Sequence, residues 1–90
     1  MSKKIAVLVR GRQEEALRMA IGLTLLDDTI DIFLPNQKLI RTDKSTLNID
    51  TIQEMEMDLY SNIEQGYEVK ILSSHELANR LLDYDHVLPY

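Results

Sequence analysis

Two short segments combine residue types that suit anion chemistry. Arg10-Gly11-Arg12 follows an apolar run and precedes a helical pattern, and Ser73-Ser74-His75 does the same later in the chain. The first turn of a helix leaves N–H groups without intrahelical partners, and the macrodipole favours negative charge there. Arg10 and Arg12 would add charge-assisted hydrogen bonds, and Gly11 would let backbone approach a ligand closely. Plainer roles compete. Gly11 is also a turn residue, Ser73 is also a helix cap with Glu76 three residues on, and the arginines also suit a neighbouring subunit's carboxylates. No phosphate loop is present, because Gly11-Arg12-Gln13-Glu14 lacks the further glycines and the lysine.

Other chemistry is thin. Neighbours on a turn cannot easily aim a Ser73 or Ser74 hydroxyl at the His75 imidazole. His75 and His86 fall on different elements, without metal-ligand spacing. Glu54, Glu56 and Asp58 read as a solvated helix face. The candidate ligand-binding set is Arg10, Gly11, Arg12, Ser73, Ser74 and His75. No catalytic residue, metal or cofactor is expected.

The elements that must position this set alternate between strand and helix. Residues 4–9 form a continuous apolar, β-branched run, the pattern of a strand covered on both faces. Residues 13–26 read as a helix with Glu14 and Glu15 in its first turn. Its apolar set (Ala16, Leu17, Met19, Ala20, Ile21, Leu23, Leu25, Leu26) exceeds one stripe, so burial on several sides is expected, with Gly22 at a close helix approach. Residues 29–34 form a second strand, and 36–48 a long loop with a functional or interfacial role. Thr51-Ile52-Gln53-Glu54 matches a capping box and opens a helix that ends at Gly66. In that helix Met55 lies on the core stripe, whereas Met57 and Tyr60 are exposed contact residues. Residues 67–72 give a third strand. Ser73 opens a short helix with Leu77, Ala78, Leu81 and Leu82 inward, and residues 85–88 close the chain as a strand.

Strands joined by helices pair in parallel through right-handed crossovers. The expected fold is one domain over residues 1–90, a small doubly wound α/β sandwich of flavodoxin or Rossmann type. Its four-stranded, mainly parallel sheet has the order 2-1-3-4 and three helices. That order leaves the first helix alone on one face, with a bare sheet that a second copy would cover. It also brings Arg10-Gly11-Arg12 and Ser73-Ser74-His75 together at the carboxyl ends of neighbouring strands, where such folds bind ligands.

Composition narrows the function classes. The 90 residues hold no cysteine, which excludes disulfides, thiolate nucleophiles and thiolate metal sites. The net charge of −5 argues against nucleic-acid or anionic-membrane partners. It divides unevenly: eight basic and six acidic side chains precede residue 49, and two basic and nine acidic follow. A basic half facing an acidic half of another copy is one use of that asymmetry. No apolar run approaches a membrane span or a secretory signal, so a soluble cytoplasmic protein is expected.

The opening strand, the helix reading Glu15-Ala16-Leu17-Arg18-Met19-Ala20-Ile21-Gly22-Leu23, the Asp31-Ile32-Phe33-Leu34 strand, Glu68–Ile71 and Asp85-His86-Val87-Leu88 together resemble the DsrE/DsrF-like sulfur-relay family, which includes TusD-type subunits. The resemblance covers nearly the whole chain and rests on hydrophobic pattern and element order. It implies a small α/β subunit that assembles as a dimer, trimer or hexamer. The family's persulfide cysteine follows the third strand, where this chain has Leu72-Ser73-Ser74. A hydroxyl cannot carry a persulfide, so the resemblance implies a non-catalytic member. Such a member would scaffold a protein partner or bind a small anion. The alternatives are a small enzyme or nucleotide-like binder using the same crevice, and an adapter using the 36–48 loop.

Overall fold

The computed structural model describes residues 3–26 and 29–90. The apolar opening run becomes strand β1 (Lys4–Leu8), and α1 (Gln13–Leu23) follows, tightening into a 3₁₀ turn at Thr24–Leu26. After β2 (Thr29–Leu34) come α2 (Asp43–Glu54) and the short strands β3 (Leu59–Ser61) and β4 (Lys70–Ile71). Helix α3 (Ser74–Leu81) and strand β5 (His86–Pro89) complete the chain.

The sheet has five strands in the order β4-β3-β2-β1-β5, and every pairing is parallel. This replaces the expected four strands in order 2-1-3-4. The missing strand is β3, which the sequence pattern hides inside an apparent helix. Leu59 and Met57 are buried beneath α2, and Tyr60 is buried on the opposite face, so Met57 and Tyr60 are core residues instead of exposed contacts. Met55, expected in the core, is exposed.

Capping chemistry explains the shifted helix. Thr42 accepts a hydrogen bond from Ser45 N, and Ser45 Oγ accepts one from Thr42 N at 2.7 Å, a reciprocal cap that starts α2 within the expected loop. Thr51 instead lies inside the helix and donates its hydroxyl to Leu47 O at 3.0 Å. Glu56, at φ 58°, leaves the helical region and ends the element long before Gly66. Thr42→Ala should therefore cost about 1 kcal/mol in a urea unfolding experiment, while Thr51→Ala should lie within a few tenths of neutral. A larger cost at Thr51 than at Thr42 would contradict this boundary.

Right-handed crossovers decide which face each helix covers. The steps β1 to β2 and β2 to β3 run the same way across the sheet, so α1 and α2 pack side by side on one face. The α3 crossover runs back from β4 to β5 and lies on the other. Alternation along β2 divides the core accordingly. Ile30, Ile32 and Leu34 meet Ala16, Leu17 and Ala20 of α1 and Ile49 and Ile52 of α2. Phe33 joins Ala6, Tyr60 and Leu77 beneath α3. The thinly covered face is thus that of α3, eight residues long, and not that of the first helix.

Three smaller expectations also change. Gly22 is exposed with nothing near its Cβ position, so no close helix approach occurs there. Leu25 of the first helical segment is exposed, and the Leu26 side chain lies outside the described residues. In and beyond α3, Leu77 and Leu81 point inward, whereas Ala78 and Leu82 are exposed.

The second face carries a polar lock. Asp31 is buried and accepts hydrogen bonds from Tyr84 Oη and from Asp58 N. Burial, then the hydrogen bond to Asp31, raises the Tyr84 phenol well above its ordinary range. Asp58 in turn pairs with Lys70 at 3.0 Å and accepts from Tyr60 Oη at 3.2 Å. Every member has a partner, which suits a structural role joining β2, β3 and β4 to the turn before β5.

Candidate functional site

Two backbone bonds tie the end of β5 to β1. Tyr90 N donates to Leu8 O, and Arg10 N donates to Tyr90 O, each at 2.9 Å. Pro89 has no N–H to give, which an edge strand tolerates. The neighbouring segment, residues 35–42, must leave β2, cross the end of the sheet and start α2. Its path is fixed by side-chain amides. Gln13, the first residue of α1, is buried and donates through Nε2 to Gln37 Oε1 at 3.1 Å and Lys38 O at 2.8 Å. Its Oε1 accepts from Ile40 N at 2.9 Å.

Further amides and a hydroxyl extend the clamp. Gln37 donates to Val9 O, Gln65 donates to Gln37 O and accepts from Leu39 N, and the buried Ser61 hydroxyl donates to Leu34 O or Gln37 O. Among the described residues no buried side-chain nitrogen or oxygen is left without a partner. The loop is therefore held by saturated polar groups, which give it one geometry.

A groove of about 770 Å³ results, within the size range of small-molecule sites. Arg12, Glu14, Glu15, Arg18 and Met19 of the α1 segment form one wall. Ile40, Thr42 and Tyr90 also line the groove, together with the buried Gln13 and Ser45. Arg12 lies 3.5 Å from Glu15, and Arg18 lies 3.6 Å from Glu14. Those separations exceed the 2.7–3.2 Å expected of an N–H···O hydrogen bond. All four side chains reach solvent, so the pairs are weak and open to competition. Arg12 is also the N-cap of α1 and supplies no side-chain cap.

The structure separates the residues expected to converge. Arg10, Gly11 and Arg12 stand at the end of β1, with Arg12 alone among them in the groove wall. Gly11 does not have positive φ, and a Cβ there would meet nothing, so neither constraint explains the glycine. Ser73, Ser74 and His75 follow β4, with β3 and β2 between it and β1. Three strand spacings amount to roughly 14 Å, and the two helices that follow these segments lie on opposite faces. The expected shared crevice depended on the order 2-1-3-4 and is not formed.

Around α3 the local bonds are structural. Ser73 Oγ accepts from Glu76 N and Glu76 Oε1 accepts from Ser73 N, the capping box read from the sequence. Those bonds hold the Glu76 carboxyl below its usual range. Ser74 Oγ accepts from Asn62 Nδ2 at 3.0 Å, and the His75 ring sits 3.1 Å from Asn79 Nδ2. A second concavity of about 400 Å³ lies alongside, lined by Leu72, Glu76, Asn79, Arg80 and Asp83.

Sequence reading missed Gln13, Arg18, Ile40, Thr42 and Tyr90 as site residues. Position held the available signal. Gln13 opens the first helix, and Ile40 and Thr42 follow the second strand, near the sheet end where α/β folds bind ligands. No known family, curated protein or solved structure matches this chain. Among the described residues, no helix is long and apolar enough to cross a membrane.

Proposed function

We propose that the protein is a non-catalytic, oligomer-forming binding subunit of DsrE/F-like type, which holds a small ligand by its anionic group in the groove beside Arg12. The observation that carries the reading is the groove itself. It is concave, it sits at the carboxyl end of the sheet, and its two guanidiniums have only weak carboxylate partners. The absence of cysteine from the sequence supports a binding role over sulfur transfer. A thermal-shift panel of small carboxylates and phosphates tests it. Stabilisation by at least one of them is expected, with Arg12→Ala weakening that ligand on the order of tenfold, the loss of one charge-assisted hydrogen bond. An undiminished response in the variant would sink the assignment.

Self-association has its own support in the α3 face, where Val87 and the nearby Leu82 are exposed and one short helix covers the sheet. Light scattering at micromolar concentration should return at least twice the 10.4 kDa chain mass. A monomer at that concentration would remove the oligomer from this account.

A further inference from the structure

The groove's inventory specifies more than an anion. Gln13 and Ser45 spend their hydrogen bonds inside the protein, Gln13 on Gln37, Lys38 and Ile40, Ser45 on Ile40 and Thr42. What remains for a ligand is a set of four charges in the order plus, minus, minus, plus at Arg12, Glu14, Glu15 and Arg18. They span seven residues of the α1 segment, and the rises between the first and the last amount to roughly 9 Å at about 1.5 Å each. Beside them lie three apolar surfaces: Met19, half-buried, Ile40, 59% exposed, and Tyr90, 39% exposed.

Each simpler ligand class leaves part of this wall unsatisfied. A bare inorganic anion would meet two carboxylates and leave the apolar surfaces wet. A cation would face two guanidiniums, and a purely apolar molecule would strip water from four charges without replacing it. A compact molecule bearing one charge of each sign and an apolar side chain satisfies all three features.

We propose that the groove binds a zwitterion of amino-acid or dipeptide size, with its carboxylate at Arg12, its ammonium at the Glu14 and Glu15 carboxylates and an apolar side chain against Met19, Ile40 and Tyr90. Binding exchanges the long Arg12–Glu15 contact for shorter charge-assisted ones to the ligand, while Arg18 keeps its 3.6 Å contact with Glu14 and its access to water. The inference rests on the groove being the binding site, as proposed above, and adds the second charge.

Titration calorimetry with leucyl-leucine, its N-acetyl form and its C-terminal amide tests this. The free dipeptide should bind, and removing either charge should weaken binding on the order of tenfold. The double variant Glu14→Gln/Glu15→Gln should lose affinity for the dipeptide to a similar degree while still binding the N-acetyl form. Arg12→Ala should weaken both. All three substitutions fall on surface side chains, so folding is preserved. Equal affinity for the free and N-acetyl forms would overturn the zwitterion and leave the anion reading standing. Absence of saturable binding by any of these peptides, together with no response to carboxylates or phosphates, would overturn both.

Discussion

Gln13→Ala is expected to lower the unfolding free energy by about 3 kcal/mol and to loosen residues 37–40 where Gln13 holds them. The side chain makes three hydrogen bonds to that segment and is buried. Each contributes roughly 1 kcal/mol net, and no side chain nearby replaces them. In a domain this small, that change shifts Tm by on the order of 10–20 °C. Gln13→Glu sharpens the comparison. A carboxylate keeps an acceptor for Ile40 N but loses both donors, and it places negative charge against Lys38 O and Gln37 Oε1. It should therefore destabilise at least as much as alanine. Thermal unfolding followed by circular dichroism reads both variants, and a loss under about 1 kcal/mol for either would show that the amide does not hold the groove wall.

Phe33→Ala is the second large effect and belongs to the other face. Phe33 is 1% exposed, stacks on Tyr60 at 5.0 Å between centroids and meets Tyr84 edge-on at 5.5 Å. Removing a buried aromatic ring costs about 3–5 kcal/mol, and a cavity under one short helix has few neighbours to refill it. Set against a typical domain stability of about 5–15 kcal/mol, that is a large share. Phe33→Leu should cost clearly less, because it keeps most of the volume. Chemical denaturation separates the two variants. Equal costs would contradict this, because restoring most of the lost volume would then have recovered nothing.

Much of the scaffold was legible from residue types. β1 follows a continuous apolar run and β2 an apolar run interrupted by Asp31, and both emerge close to the expected ranges. Ser73 with Glu76 is a capping box in sequence and in structure. The middle of the chain was not legible, for identifiable reasons. The cap that starts α2 uses serine at the third position, outside the serine/threonine-to-glutamate pattern, while Thr51 and Glu54 match that pattern inside a helix. β3 and β4 are three and two residues long, too short for alternation to show. Ile52 and Leu59 share a helical spacing by coincidence, one on α2 and one on β3.

The assumed strand order carried into the site. In the order 2-1-3-4 the strand before Ser73 falls beside β1, and two cationic and hydroxyl-bearing segments appear to share a crevice. In the observed order that strand lies beyond β2 and β3, and Arg12 has Ile40, Thr42 and Tyr90 as neighbours. None of these three carries a sequence motif. Ile40 and Thr42 are placed by a loop path set by glutamine side chains that are unremarkable as sequence, and Tyr90 by the backbone bonds that tie the end of β5 to β1.

The most direct test of the binding account is an amide chemical-shift titration of the intact protein with whichever small carboxylate or phosphate stabilises it most. The account predicts saturable shifts concentrated at residues 11–19, at 40–42 and at Tyr90. Shifts centred on residues 73–75 with the groove unmoved, or no saturable shift anywhere, would contradict it.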